Sequence, residues 1–377
     1  MRLNHRAGRR TSGLALLLAA SLALPPVLVA PTDAGAQELR TETEAANFQI
    51  YTSYDNMMTY LQSVQASSTE MRLGTYGETR EGRELPYAIF SRPAVTQPWE
   101  AWALGKPIVV LAAGVHGPER TLRESVLVMI RDFATPGTAM NAVLDDLTIV
   151  VVPQINPDGF SWPERPQRGN LWGLDLNRDY MKLEQPEIQG YVQNILLAWQ
   201  PHLYVDGHNG GAPPYNIAYQ CPSHAAPHQA ITDLCNERIF PAIDRKLEAE
   251  GYSAFYYDVG RTETRWVTGG TDPRIGRNYG GFMNSVGILF ESPPGRQTLQ
   301  EAAHSGILAY EAVVEWSVEN ADLLMETVRN ARVEAIVQGS APEGRVPIEV
   351  EYEPYPETVT YTLLPRGQGM ADAEPIV

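Results

Sequence analysis

Four short, nearly unbroken apolar runs limit what this chain can fold into: Ile108 to Ala113, Leu147 to Pro153, Leu203 to Asp206 and Gly287 to Glu291. A strand that is apolar at every residue must be covered on both faces, whereas a strand with one wet face alternates. Between the runs lie segments with helical spacing, Thr121 to Phe133, Glu187 to Ala198, Pro227 to Glu250 and Leu299 to Val328. Buried strands separated by helices imply an α/β fold, with a mixed, mostly parallel central sheet and helices on both faces. Ahead of this pattern, Tyr54 to Val64 reads as an amphipathic helix, and Met71 to Gly77 with Leu85 to Ser91 reads as a hairpin around the polar segment 78–83.

The two ends depart from the pattern. Arg2, Arg6, Arg9 and Arg10 precede an apolar stretch from Leu14 to Ala30 and the small triplet Ala34-Gly35-Ala36. That is the layout of a signal peptide cleaved after Ala36, and Pro25 and Pro26 leave the stretch too broken for a membrane anchor. The expected division is a signal peptide at 1–36, a catalytic unit at 37–335, and a proline-containing, β-rich tail at 336–377 that is too short to build its own core and either packs on the catalytic unit or belongs to an incomplete accessory module. The mature protein is expected in the periplasm or outside the cell, with no stable membrane span. The full chain carries a net charge of −16, and loss of the four leading arginines makes the remainder more acidic still, which disfavours nucleic acid as a partner. Cys221 and Cys235 are the only cysteines, so a thiolate metal site is excluded. They either pair in an oxidising compartment or serve as two small core residues.

Ligands of open α/β sheets bind beyond the carboxyl ends of the strands, and those ends carry the chemistry here. After the first run comes His116-Gly117-Pro118-Glu119, an imidazole and a carboxylate three residues apart on a strand-to-helix turn, able to face one ion. Pro118 suits the first turn of the following helix. A catalytic zinc takes three protein groups plus water, and Leu203 to Asp206 leads to His208, which is either the third ligand or a structural histidine.

Between these lie Asn156-Pro157-Asp158-Gly159, Arg168-Gly169-Asn170 and Asp175-Leu176-Asn177-Arg178. The ordered set H-x-x-E, N-P-D-G, R-x-N, D-L-N-R, D-x-H and a late strand ending in Glu resembles the zinc metallocarboxypeptidases of the carboxypeptidase A type, the funnelins, over roughly Tyr54 to Val328. The resemblance implies a carboxypeptidase-like fold and one zinc ion per chain held by His116, Glu119 and His208, with Asp175 bonded to the first histidine. It implies that Asn177 and Arg178 hold the terminal carboxylate of a peptide or peptide-like substrate, that Arg168 polarises the scissile carbonyl, and that Glu291 is the catalytic base. The implied reaction is hydrolysis of peptide bonds with removal of C-terminal residues.

Some positions depart from the family. Pro118 replaces the arginine of animal digestive members. Arg265 stands where those members keep a mobile tyrosine, so Tyr279, Tyr256 or Tyr257 is left to cover the substrate. Asp272 falls near the register of the specificity pocket and would favour Lys or Arg side chains unless Arg274 neutralises it. Rival readings are a zinc amidase or deacylase, a hydrolase of peptidoglycan stem peptides, or a non-catalytic binding module on the same fold. There is no G-x-S-x-G elbow, phosphate loop or C-x-x-C pair. Oligomeric state is not legible in the sequence.

Overall fold

A computed structural model describes residues 39–211, 215–259, 268–293, 295 and 297–341. The expected signal peptide, residues 342–377 of the expected tail and Arg265 lie outside the described residues. An eight-stranded sheet runs through the molecule. Its strands are β1 (Met71–Glu78), β2 (Glu84–Phe90), β3 (Ile108–Ala113), β4 (Thr148–Val152), β5 (Leu203–His208), β6 (Ile217–Gln220), β7 (Ala254–Tyr256) and β8 (Val286–Glu291). The order is β1-β2-β4-β3-β5-β8-β6-β7. The central four strands, β4, β3, β5 and β8, pair in parallel, the hairpin β1–β2 joins β4 antiparallel, and β6 joins β8 antiparallel with β7 parallel to it. The expected mixed sheet is therefore the observed one, with β6 and the edge strand β7 too short to stand out as apolar runs.

The alternation of side chains along a strand explains why the central runs are apolar throughout. Val109, Leu111 and Ala113 enter one core with Val205, Ile288 and Phe290, beneath the helices Tyr54–Ser67, Thr121–Ala134 and Leu299–Glu319. Ile108, Val110 and Ala112 enter the other with Val150, Tyr204 and Tyr191, under the helical segment 186–199. The long helix expected from Leu299 to Val328 is two helices, Leu299–Glu319 and Ala321–Ser340. Asn320 ends the first, its side-chain amide donating to the Trp316 carbonyl at 2.9 Å, a local bond that competes with helix continuation. The second helix runs past residue 335, where the catalytic unit was expected to end.

The site's position follows from the topology. β3 is followed by β4 on one side and by β5 on the other, and such a reversal opens a crevice at the strand carboxyl ends. The pairing of His208 with Glu291 at the ends of β5 and β8 sets two of the expected site residues side by side.

Candidate metal centre

The segment between β3 and the Thr121–Ala134 helix turns sharply. Gly114 adopts φ +74°, and the Glu119 amide closes the turn on the His116 carbonyl at 3.1 Å. Pro118 lies in this turn, before the helix and not in its first turn. A side chain at Gly117 would sit 2.3 Å from the backbone of Gly159, so the H-x-x-E turn and the N-P-D-G turn pack backbone to backbone. Buried Asn156 ties this assembly together, accepting from Gly159 N at 2.9 Å and donating to the carbonyls of Val115 at 3.3 Å and Gly169 at 3.0 Å. Asp158 instead anchors the hairpin, accepting from Thr79 at 2.8 Å and Arg83 at 2.7 Å. The motif residues around the site thus fix the loop that carries Arg168.

Three donor groups converge. His116 Nδ1 and His208 Nδ1 are 3.2 Å apart, and each lies 2.9 Å from one Glu119 oxygen. Zinc–nitrogen bonds of about 2.0–2.1 Å in a tetrahedron place neighbouring donors about 3.3 Å apart, so this triangle fits a zinc ion. Each outer nitrogen faces a carboxylate: His116 Nε2 bonds Asp175 Oδ1 at 3.0 Å, and His208 Nε2 lies 2.9 Å from Asp206 Oδ2, an ion-pair distance without hydrogen-bond alignment. Carboxylates on the far side of ligating imidazoles fix ring orientation and raise basicity. Asp206 belongs to the D-x-H motif but was given no role from the sequence, although two residues apart on a strand means one shared face.

Electrostatics favour a cation at this point. Burial alone would lower the proton affinity of His208, but Asp206 and Glu119 outweigh it and raise it well above the ordinary value. Burial would raise Glu119, yet bonds and charge from His116 and His208 hold it well below the usual carboxylate range. Asp175 is likewise lowered: burial opposes this, but His116 and the charges of Arg168 and Arg178 prevail.

Glu291 is buried at the end of β8, and burial pushes its carboxyl up to about 8; His208 opposes the rise, Glu119 and Asp206 add to it, and a hydrogen bond with Tyr257 opposes it. Its Oε2 has no hydrogen-bond partner among the described residues. Of the three tyrosines considered from the sequence, Tyr257 is the one bonded to this carboxylate. Tyr256 packs on Tyr219 and Phe240, with its hydroxyl 3.3 Å from Asn236 Oδ1, and the Tyr279 ring rests 5.9 Å from Tyr180.

Arg168 is half exposed and bridges Glu119 at 2.9 Å and Asp175 at 3.1 Å. Arg178 is exposed, while Asn177 is buried with its Oδ1 accepting from Gly276 N at 2.8 Å. Asp272 is gripped by Arg274, whose Nε and Nη2 reach its two oxygens at 3.0 and 2.5 Å. The neutralisation allowed for in the sequence reading is therefore present, and this carboxylate is not left open for a basic side chain. Cys221 and Cys235 form a disulfide. Beside the centre, a cavity of about 390 Å³ is lined by Tyr51, Glu119, Arg168, Asn209 and Gln297 among others.

Comparison with known proteins bears on the family. Residues 57–212 match the zinc carboxypeptidase family model. The matched segment is similar to a zinc carboxypeptidase domain. Carboxypeptidase 2 of Trichophyton rubrum is 27% identical over 269 residues, covering 67% of this chain and 49% of that protein. A probable carboxypeptidase 2 of Trichophyton verrucosum is 26% identical over 290 residues, covering 70% and 55%. The chain thus spans about half the length of the curated relatives it matches. The carboxypeptidase fold is shared with a metallo-carboxypeptidase of Burkholderia cenocepacia (TM-score 0.56, 17% identity, 72% of this chain and 70% of that one) and with carboxypeptidase A of Helicoverpa armigera (TM-score 0.54, 16% identity, 76% and 74%). Glu291 lies beyond the span matched by the family model.

Proposed function

We propose that this chain is an exported zinc-dependent carboxypeptidase, with a catalytic unit that runs from residue 37 to the end of the Ala321–Ser340 helix. The observation that carries the reading is the donor triangle of His116, Glu119 and His208 beside a desolvated carboxylate, Glu291, on the paired end of the neighbouring strand. Those three residues would hold one zinc ion, which when bound supplies Lewis-acid polarisation of water and of the scissile carbonyl. Glu291 takes a proton from the attacking water as its oxygen bonds to the carbonyl carbon, and returns that proton to the leaving nitrogen as the C–N bond breaks. Arg168, which bridges Glu119 and Asp175, polarises the scissile carbonyl. Arg178, with the Asn177 amide beside it, offers a fork for the terminal carboxylate of a peptide. Export is supported by the basic, apolar and small-residue succession at 1–36, and among the described residues no helix is long and apolar enough to cross a membrane.

The test combines metal analysis with hydrolysis. One zinc per chain is expected, with activity lost on chelation and restored by zinc, and the mature protein recovered outside the cytoplasm is expected to begin at Gln37. A purified protein that cleaves peptides equally well after exhaustive chelation would sink the proposal.

A further inference from the structure

Arg277 is 5% exposed, and among the described residues no carboxylate pairs with it. Its Nη2 donates to the Gly270 carbonyl at 2.6 Å and to Ser223 Oγ at 3.3 Å, while Nε has no hydrogen-bond partner among the described residues. A buried, unpaired guanidinium is costly, and a protein keeps such a group where a ligand completes it. Its surroundings say which part of the site it serves. It sits in the first turn of the Gly276–Phe282 helix. The preceding residue, Gly276, donates its amide to Asn177, and a side chain at Gly276 would meet Asp206 Oδ2 at 2.7 Å. The backbone at Gly269 crosses directly beside the guanidinium, since a Cβ there would lie 2.9 Å from both Arg277 Nη2 and the Tyr257 ring. Glu291 and Tyr257 are close enough to act on its charge. Arg277 therefore lies next to Gly276, which bonds Asn177, and beside Gly269, which abuts Tyr257, on the flank of the site between the Asn177–Arg178 pair and the Glu291 strand end.

We propose that Arg277 is a specificity-determining residue that receives an acidic side chain on the residue C-terminal to the scissile bond, an inference that rests on the carboxypeptidase reading above. A glutamate or aspartate carboxylate would supply the missing counter-charge, and a planar guanidinium binds it bidentately. A neutral isostere would leave the charge buried and unmatched, and a lysine side chain would add a like charge. Burial lowers Arg277 to about 10, partly offset by Tyr257 and Glu291, so it remains cationic at neutral pH.

The experiment compares kcat/KM of the zinc-loaded protein for blocked dipeptides ending in Glu, Gln, Leu and Lys, together with the melting-temperature rise produced by free glutamate and free glutamine. The expected result is about 10- to 100-fold faster cleavage of Glu than of Gln, the span of one charge-assisted hydrogen-bonded pair, and a larger rise with glutamate. Arg277→Met should bring Glu and Gln together while Leu is still cleaved, and Arg277→Lys, which keeps the charge, should retain the order Glu over Gln. Equal cleavage of Glu and Gln by the wild type, or faster cleavage of Lys, overturns the inference and leaves the carboxypeptidase reading intact. No cleavage of any peptide with a persistent glutamate preference in melting supports the Arg277 site and removes the carboxypeptidase reading. Absence of both overturns the inference.

Discussion

At the scale of single residues, the centre is held by pairs. Each candidate ligand histidine turns Nδ1 inward because a carboxylate occupies the far side of its ring: Asp175 for His116 and Asp206 for His208. Removing one such carboxylate typically weakens a metal about 10- to 100-fold. Asp206→Asn is therefore expected to lower zinc affinity by that factor in a chelator competition, and an unchanged affinity would deny Asp206 this role. Glu291 supplies a second prediction. Its folded carboxyl stands at about 8 against an ordinary 4.5, so in this window the folded, metal-free protein holds a proton that the unfolded chain has released. Stability must then fall as pH rises from about 4.5 through about 8. Melting curves of chelated wild type should show that decline, and Glu291→Gln should flatten it; parallel profiles would contradict the burial assigned to Glu291. His116, Glu119, His208, Asp175 and Glu291 were all legible because each follows an apolar run or belongs to a fixed motif. Arg277 was not, since nothing in the sequence separates it from Arg274; only the fold buries one and leaves the other exposed beside Asp272.

At the scale of elements, loops fix the site as firmly as strands do. The close approach of Gly117 to Gly159 leaves no room for a methyl group, so Gly117→Ala must move the H-x-x-E turn that carries two donors. Loss of zinc binding is expected, measurable as an absent zinc-dependent rise in melting temperature, and a normal rise would refute the coupling of the two turns. On the other side of the crevice, the Cys221–Cys235 disulfide closes a loop with a sequence separation of 14 between the end of β6 and the helical segment 229–249. Closure of a loop this size contributes about 3 kcal/mol, so reduction should lower the denaturant midpoint, and an unchanged midpoint would show that the bond adds nothing. The central strands were legible because burial on both faces leaves continuous apolar runs. The strands β6 and β7 were not, with only four and three residues each, and the break at Asn320 was hidden because the helical periodicity continues on both sides.

At the scale of the whole molecule, the sheet order decides where chemistry can happen. The reversal at β3 gathers residues far apart in sequence, from His116 to Glu291, at one crevice, and the same crevice receives the loops bearing Arg168, Asn177 and Arg178. The role proposed for Arg178 and Asn177, a fork for a free carboxylate, predicts attack on chain ends and not on chain interiors. Mass spectrometry of one peptide, in free-acid and C-terminally amidated forms, incubated with the zinc-loaded protein and with Glu291→Gln, tests this most directly. Stepwise loss of residues from the carboxyl end of the free acid is expected, with the amide resistant and the Glu291→Gln protein inactive. Internal cleavage, equal cleavage of the amide, or undiminished activity of the Glu291→Gln protein would contradict the account.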